Sequence, residues 1–416
     1  MQQYHSAGSD LAPLASGAAR PAPSAAPPRP LAQPLERSQQ SRQSSQTLFA
    51  EEWHRLDYRH GNVFLGERRV PGDEALLRLA PGLTAADLAG AAFIDVETTG
   101  LVGGTGTYVF LIGVATFEND SLRLRQLFLS DLGRERAMLA ELASLLHGCR
   151  CLVTFNGKRF DVPLLETRFI LSRLAPTLGR LPHVDLLYPA RRLYRRRLPS
   201  CSLASLESAV LGFERGVETP GWAIPQLYFD YVRSGRVEPL APVFRHNKLD
   251  LLSLVALLGH LGRLVGSEAP RCSEDCLAIA VWDDAEGRLE EAARLYEAAI
   301  IGARRNGLGE IQERLARLYR RLGRWEEAVR LWRELARDTN PVRRMDALIE
   351  LAKFAEHRNR DYHAAEDFTR EALAIAASPD MRGEPLAGIG PRQARLAHRL
   401  HRVQTARLRR ARAWLY

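Results

Sequence analysis

The sequence predicts an α/β domain with a mixed sheet flanked by helices, followed by a region built of helices alone. From residue 91 to about residue 266, short apolar strand-like runs alternate with amphipathic helical runs, which is typical of an α/β domain. After Cys272 only helical patterns remain, and one of them recurs at a fixed interval. The chain of 416 residues is long enough for two or three such units.

The first 90 residues add little to this prediction. Residues 1–47 are rich in Ala, Pro, Ser and Gln with few large apolar side chains, so we expect a disordered low-complexity tail. Residues 48–90 carry scattered strand and helix signals, and the pattern assigns no element to this N-terminal extension.

The α/β domain is predicted to span residues 91–268. We expect strands at FIDVET, YVFLIGVATF, LRLRQLFL and CLVTF, and helices at residues 135–148, 162–174 and 242–264. The stretch GLVGGTG, from Gly100 to Gly106, matches neither the dinucleotide-binding spacing nor the P-loop spacing. We therefore interpret it as a turn between the first two strands.

The C-terminal half contains an internal repeat with a period of 36 residues. Its copies, GRLEEAARLYEAAI, GRWEEAVRLWRELA and the weaker RDYHAAEDFTREAL, begin at Gly287, Gly323 and Arg360. Small side chains share the position where two helices would cross closely: Ala292, Ala328 and Ala365. The pattern resembles the tetratricopeptide repeat and predicts stacked helix pairs over residues 273–377, with a surface for a protein partner. Residues 378–416 form a basic C-terminal segment that would cap the repeats or touch nucleic acid.

A set of acids carries the functional signal. Asp95 and Glu97 leave the same face of the first strand, and two such carboxylates repel unless a cation lies between them. Asp161 follows another strand, and His246 and Asp250 share one face of a helix. Four acids and a histidine from separated segments are what two Mg²⁺ or Mn²⁺ ions need.

Together these motifs resemble the DEDD superfamily of 3′→5′ exonucleases, which have an α/β ribonuclease H-like domain. D-x-E on a strand is followed by N-x-x-x-F-D and then by an acid paired with histidine on a late helix. The order of GGTGTYVFLIG, PHVDLLYPARR, SCSLASLE and RHNKLDLLSL, with repeats behind, is similar to the YprB-type ribonuclease H-like proteins. The resemblance covers about residues 91–266.

The resemblance implies a two-metal nuclease. Asp95 would bridge both ions, Glu97 and Asp250 would complete one site, and Asp161 would help the other. His246 would accept a proton from the attacking water. The histidine type of this superfamily has four residues between histidine and acid, whereas His246 and Asp250 have three between them, as in the tyrosine type. His246 is therefore either the general base or a residue that orients water or contacts phosphate.

Candidate contacts to nucleic acid lie in two places. Near the acids, the candidates are Thr98, Asn156 and Lys158. The second group is the basic run PARRLYRRRL, with Arg191, Arg192 and Arg195 and with Tyr188 and Tyr194 as interleaved aromatics. This run is either a surface that binds phosphates and stacks bases, or a solvated helix face.

The composition is compatible with this interpretation. A net charge of +9 fits a polyanionic partner such as nucleic acid. No apolar run approaches 18 residues and no secretion signal is recognisable, so we expect no membrane association. Five cysteines in a long chain do not form a disulfide framework, which favours the cytoplasm.

The leading hypothesis is a metal-dependent 3′→5′ exonuclease that hydrolyses the phosphodiester bonds of a single-stranded 3′ end. Two alternatives are a catalytically inactive nucleic-acid-binding adaptor that recruits partners through its repeats, and a structure-selective endonuclease on the same fold. No residue pattern reports a contact to a 2′-OH group, so DNA and RNA both remain candidate substrates. We also expect cleavage of short oligonucleotides to survive removal of the repeats.

Overall fold

The computed structural model describes residues 51–55, 59–60, 63–64, 72–100, 106–118, 121–216, 218–266, 272–378, 381 and 386–413. The predicted disorder of residues 1–47 and most of the predicted glycine turn lie outside these ranges. The described residues belong to one compact unit.

A six-stranded mixed sheet forms the centre of the α/β region. Its strands are β1 (Glu51–Arg55), β4 (Ala91–Thr98), β5 (Val109–Glu118), β6 (Ser121–Phe128), β7 (Cys151–Thr154) and β8 (His183–Asp185). The strands β2 (Arg59–His60) and β3 (Val63–Phe64) form a separate short hairpin. The order in the main sheet is β1-β6-β5-β4-β7-β8. β4, β7 and β8 are parallel neighbours, and the other pairs are antiparallel. The mixed sheet and its four predicted strands are thus confirmed, while β1 and β8 were not predicted.

Helices cover both faces of this sheet. They are α1 (Asp73–Leu79), α2 (Ala85–Ala89), α3 (Glu135–Leu146), α4 (Asp161–Leu171), α5 (Leu187–Tyr194), α6 (Leu203–Leu206), α7 (Ile224–Ser234) and α8 (Ala241–Val265). Apolar residues of α8 pack with Phe93, whereas α3, α4 and α7 pack in the core that contains Ile94. Side chains alternate along a strand, so Asp95 and Glu97 share the face of Phe93 and point toward α8.

Residue 91 is too late a boundary for the α/β domain. In α1 and α2, Leu76 and Leu88 are 0% and 1% exposed and belong to the same core as Phe93. β1 adds a further strand to the sheet edge beside β6. The two helices contain only seven and five residues, too few to establish a helical period in the sequence.

The helical repeats are confirmed. The helices are α9 (Ser273–Glu286), α10 (Leu289–Ile301), α11 (Arg305–Arg321), α12 (Trp325–Leu335), α13 (Pro341–Phe354), α14 (Tyr362–Ala376) and α15 (Leu386–Ala413). The three sequence copies form α10, α12 and α14. The three repeat alanines are all fully buried: Ala292, Ala328 and Ala365.

Each sequence copy starts at a residue with left-handed backbone geometry. The φ angles are 82° at Gly287, 77° at Gly323 and 53° at Arg360. Glycine adopts this geometry without steric cost, whereas arginine does not. The third copy therefore keeps the turn while departing from the sequence pattern, which explains its weaker match.

The basic C-terminal segment packs on the repeats. In α15, Leu396 and Val403 are 3% and 0% exposed. Arg399 and Arg402 bind the buried Glu356 at 2.6 and 2.8 Å. This helix caps the last repeat, which was one of the two roles expected for it.

Helix α9 joins the repeats to the α/β core. Its Ile279 and Trp282 lie in the same apolar cluster as Tyr194 of α5. Asp283 is 1% exposed and forms two ion pairs. Its Oδ1 atom is 2.6 Å from Nη2 of Arg78 and 2.6 Å from Nη2 of Arg288. A cut near residue 270 would remove part of a shared core. The expectation that cleavage survives removal of the repeats stays a prediction, and such a cut should begin after α9.

Within the described part of the chain, no helix combines the length and apolar character needed to cross a lipid bilayer. All five cysteines are free thiols.

Candidate active site

The four predicted acids converge at the carboxyl end of β4. Asp95 and Glu97 project from β4 toward α8, which carries Asp250. Asp161 is the first residue of α4 and not its N-cap, which is Phe160. The backbone N–H of Val96, on the strand between the two other acids, lowers the pKa of Asp161 and so opposes the effect of burial.

The charges of these four acids act on one another. Burial, followed by the charges of Asp250, Glu97 and Asp161, raises the pKa of Asp95 well above its ordinary value. Burial and the charges of Asp250 and Asp161 raise the pKa of Glu97 to about 8. Burial is also the main reason why the pKa of Asp161 is raised to about 7 and why the pKa of Asp250 is raised. Segments up to 155 positions apart in sequence therefore form one cluster of negative charge.

His246 lies beside this cluster with one ring nitrogen toward it. Its Nε2 atom is 3.5 Å from Oδ2 of Asp250 and 3.9 Å from Oε1 of Glu97. The other nitrogen, Nδ1, is 3.2 Å from Oε1 of Glu218. The side chain is 26% exposed, so it is half-buried in the site and is not a free surface residue.

Asn247 fixes the orientation of Asp95, a contact that the sequence did not reveal. Its Nδ2 group donates to Oδ2 of Asp95 at 2.8 Å and to the backbone oxygen of Asp95 at 3.1 Å. Its Oδ1 atom accepts from Nε2 of Gln126 at 2.8 Å. Gly113, opposite Asp95 on β5, leaves the space that this amide occupies.

Gly113→Ala should displace Asn247. A Cβ atom at residue 113 would overlap the amide of Asn247 and lie 2.7 Å from Cδ1 of Leu251. We expect overpacking to lower the free energy of unfolding by about 1–3 kcal/mol. Since Asp95 loses its orienting donor, we also expect metal affinity or cleavage to fall about 10–100-fold. Gly221→Ala, where a Cβ atom meets nothing within 4 Å, is the matched control; equal urea unfolding and equal cleavage in both variants would contradict this role.

Asp185 holds the loop that presents Asp161. It ends β8 and is 4% exposed. Its Oδ1 atom accepts from the backbone of Asn156 at 2.7 Å, and Oδ2 accepts from the backbone of Lys158 at 3.0 Å. Asn156 has a φ angle of 64°. Asp185 therefore stabilises a tight left-handed turn, a role that the segment PHVDLLYPARR did not indicate.

Arg215 contacts the cluster from the segment between α6 and α7. Its Nη2 group donates to Oδ1 of Asp250 and to Glu207, and its Nη1 group donates to Oε1 of Glu218 at 3.3 Å. The charge of Arg215 lowers the pKa of Glu97 and so opposes the effect of burial. No sequence pattern marked this arginine.

The donor set fits divalent cations. As placed, no three His, Cys, Asp or Glu side chains of the described residues form a ready metal-binding group. Asp250 and Asp95 each direct one oxygen to a protein donor, to Arg215 and Asn247 respectively. Carboxylate oxygens are nevertheless the ligands that Mg²⁺ and Mn²⁺ prefer. A divalent cation would also offset the burial and mutual repulsion that raise the pKa values of these acids.

The residues predicted to contact nucleic acid near the acids have different environments. Thr98 uses its hydroxyl to donate to the backbone oxygen of Gly100 at 2.8 Å. Asn156 lies in the turn before α4. Lys158 is exposed, and its Nζ atom is 6.0 Å from the ring of Tyr188, which is 52% exposed.

The predicted basic run divides into two groups. Arg192 binds Glu286 at 2.6 Å and lies 4.9 Å from the ring of Trp282, so it belongs to the contact with α9. Tyr194 is fully buried and does not offer a stacking surface. Arg191 and Arg195 are exposed, and no described acid forms an ion pair with either. The run is therefore partly structural and only partly an accessible basic surface.

The fold and the site together define a ribonuclease H superfamily protein with C-terminal helical repeats. Residues 92–262 match the model of the RNase_H superfamily, and residues 313–341 match a tetratricopeptide repeat. The protein of Bacillus subtilis (strain 168) named "Uncharacterized protein YprB" is 36% identical over 288 residues, which are 68% of this chain and 69% of that protein. The chain belongs to the YprB family within the ribonuclease H superfamily.

The raised pKa values predict how stability depends on pH without metal. A carboxyl whose pKa is higher in the folded state stabilises the fold while it is protonated, and this contribution is lost as pH rises through the folded pKa. In EDTA we expect the free energy of unfolding to fall as the pH rises from 6.5 to about 8, because the pKa of Glu97 in the folded state is about 8. The range begins at pH 6.5 because burial lowers the pKa of His183 from 6.5 to about 4, so this histidine changes the stability only at lower pH. Urea unfolding should show a smaller fall in Glu97→Gln and after addition of Mn²⁺. A flat wild-type profile in EDTA would contradict the prediction.

Proposed function

We propose that this protein is a metal-dependent nuclease that removes nucleotides from the 3′ end of single-stranded DNA or RNA. The observation that supports this most is the convergence of four half-buried acids from β4, α4 and α8 next to His246. Such a cluster of like charges opposes folding unless cations are bound to it. In the ribonuclease H superfamily, carboxylates that bind cations serve phosphodiester hydrolysis.

In the proposed reaction, two Mg²⁺ or Mn²⁺ ions would be held by Asp95, Glu97, Asp161 and Asp250. When bound, the ions would activate water and neutralise charge on the scissile phosphate. Asn247 keeps Asp95 oriented toward the cluster. The Nε2 atom of His246 takes the proton of the attacking water, or orients that water, because it faces Glu97 and Asp250.

A basic surface beside α5 would bind the rest of the strand. Two adjoining concavities of about 470 and 390 Å³ share Tyr188 and Pro81; Lys158 lines the first, and Arg191 and Arg195 line the second. Exposed Tyr188 would stack a base while the cations contact phosphates. Thr98 and Asn156 would contact the terminal nucleotide near the acids. The helical repeats would bind a protein partner.

Degradation of short 5′-labelled single-stranded DNA and RNA in Mn²⁺, Mg²⁺ or EDTA tests this proposal. We expect a ladder of progressively shorter labelled products with either ion and intact substrate in EDTA. A circular single strand of the same sequence should remain intact because it has no 3′ end.

Other outcomes would identify the alternatives. Cleavage of the circular strand would favour an endonuclease. Binding without cleavage in any metal would favour the inactive adaptor. Resistance of RNA alone, or of DNA alone, would define the substrate class.

A further inference from the structure

A buried arginine connects the proposed catalytic residues to the protein core. The side chain of Arg215 is 6% exposed. Its Nη2 group donates to Oδ1 of Asp250 and to Oε1 of Glu207, and its Nε group donates to Oε2 of Glu207 at 2.5 Å. The guanidinium thus bridges an acid of the site and an acid outside it.

Glu207 is the fixed side of this bridge. It is 1% exposed, and its Oε1 atom also accepts from the hydroxyl of the fully buried Ser253. Both oxygens of Glu207 are therefore occupied by protein donors. A planar guanidinium held by two N–H groups on one carboxylate has a defined orientation, which a flexible ammonium group does not have.

The other side of the guanidinium contacts both α8 residues that the proposed reaction uses. Its Nη2 group donates to Asp250, and its Nη1 group lies 3.2 Å from Nδ1 of His246. Oδ1 of Asp250 accepts a hydrogen bond from Arg215, while Oδ2 of Asp250 lies 3.5 Å from Nε2 of His246. The Nη1 group of Arg215 is 3.3 Å from Oε1 of Glu218, which is 3.2 Å from Nδ1 of His246. Loss of the guanidinium would free Asp250 and the acid behind His246 at once.

We propose that Arg215 is a positioning residue that holds Asp250 and His246 in the geometry needed to bind a divalent cation and orient the reacting water. Its kinetic consequence rests on the proposed nuclease function. Its consequence for metal binding does not.

Arg215→Lys in the full chain is the test, because it keeps the charge but not the planar bridge. Titration calorimetry with Mn²⁺ alone, in the absence of nucleic acid, should show a Kd increased about 10–100-fold. Cleavage should fall at low Mn²⁺ and recover at high Mn²⁺, with an unchanged KM for the oligonucleotide. A purely structural role would lower the unfolding temperature without shifting the Mn²⁺ dependence.

Arg168→Lys is the matched control. Arg168 is equally buried, at 4% exposure, and also holds a buried acid with two bonds, to Glu135 at 2.5 and 2.6 Å. This control should lower the unfolding temperature and leave Mn²⁺ binding unchanged. If Arg215→Lys does not fold, Ser253→Ala, which removes one donor to Glu207, should weaken Mn²⁺ binding by a smaller factor in the same direction.

The outcomes separate this inference from the nuclease function. Equal Mn²⁺ affinity in folded Arg215→Lys and wild-type protein would overturn the positioning role, and so would a wild-type protein that binds no Mn²⁺. Weakened Mn²⁺ binding in the variant, with no cleavage of any nucleic acid by the wild type, would support the positioning role and contradict the nuclease function.

Discussion

Asp95→Asn should abolish nuclease activity while leaving the protein folded. The charges of all three other acids raise the pKa of Asp95, and in the proposed reaction this residue would be a ligand of the bound ions. Losing a preorganised charge at the reacting centre costs at least about 10²–10³-fold in rate. We expect such a loss in the cleavage of end-labelled oligonucleotides.

The same substitution should stabilise the protein in EDTA, because it removes one of several carboxylates that repel each other. Glu118→Gln is a suitable control, since Glu118 is on the neighbouring strand but pairs with Arg123 and Arg125 at 3.0 and 2.9 Å. It should retain full activity. Wild-type cleavage rates in Asp95→Asn would remove the carboxylate cluster from the mechanism.

Asp283→Ala should have the largest effect on stability. Asp283 is 1% exposed and neutralises Arg78, which is 13% exposed, and Arg288 at the joint between the α/β core and the repeats. Removing one partner of a buried ion pair leaves an uncompensated charge and costs about 3–5 kcal/mol. Urea unfolding should show this decrease as a lower midpoint.

The adjacent residue provides the control. Asp284 is 25% exposed and pairs with Arg321 on the repeat surface, so Asp284→Ala should cost only about 0.2–1 kcal/mol. If both substitutions cost the same small amount, the buried ion pair does not stabilise the joint.

The elements predicted from sequence were those with a long, regular pattern. α8 spans 25 residues and is rich in apolar side chains, and the repeat copies share a period of 36 residues. By contrast, β8 has three residues and α2 has five, so neither is long enough to show a period. Their positions depend on the core that covers them.

The clustering of the four acids could be predicted because a strand, a turn and a helix each carry them at a recognisable spacing. Their partners could not. Arg215 and Glu218 lie in a segment without a helical or strand period, and Asn247 gains its role only because Gly113 leaves room for it. Arg192 was predicted to contact phosphate, but in the structure it forms an ion pair with Glu286 of α9. Such roles depend on contacts between segments far apart in the chain.

Anomalous diffraction from crystals containing Mn²⁺ tests the central claim most directly. The account predicts two peaks about 4 Å apart, surrounded by carboxylate oxygens of Asp95, Glu97, Asp161 and Asp250. No peak at this cluster, with Mn²⁺ only at exposed carboxylates elsewhere, would contradict it.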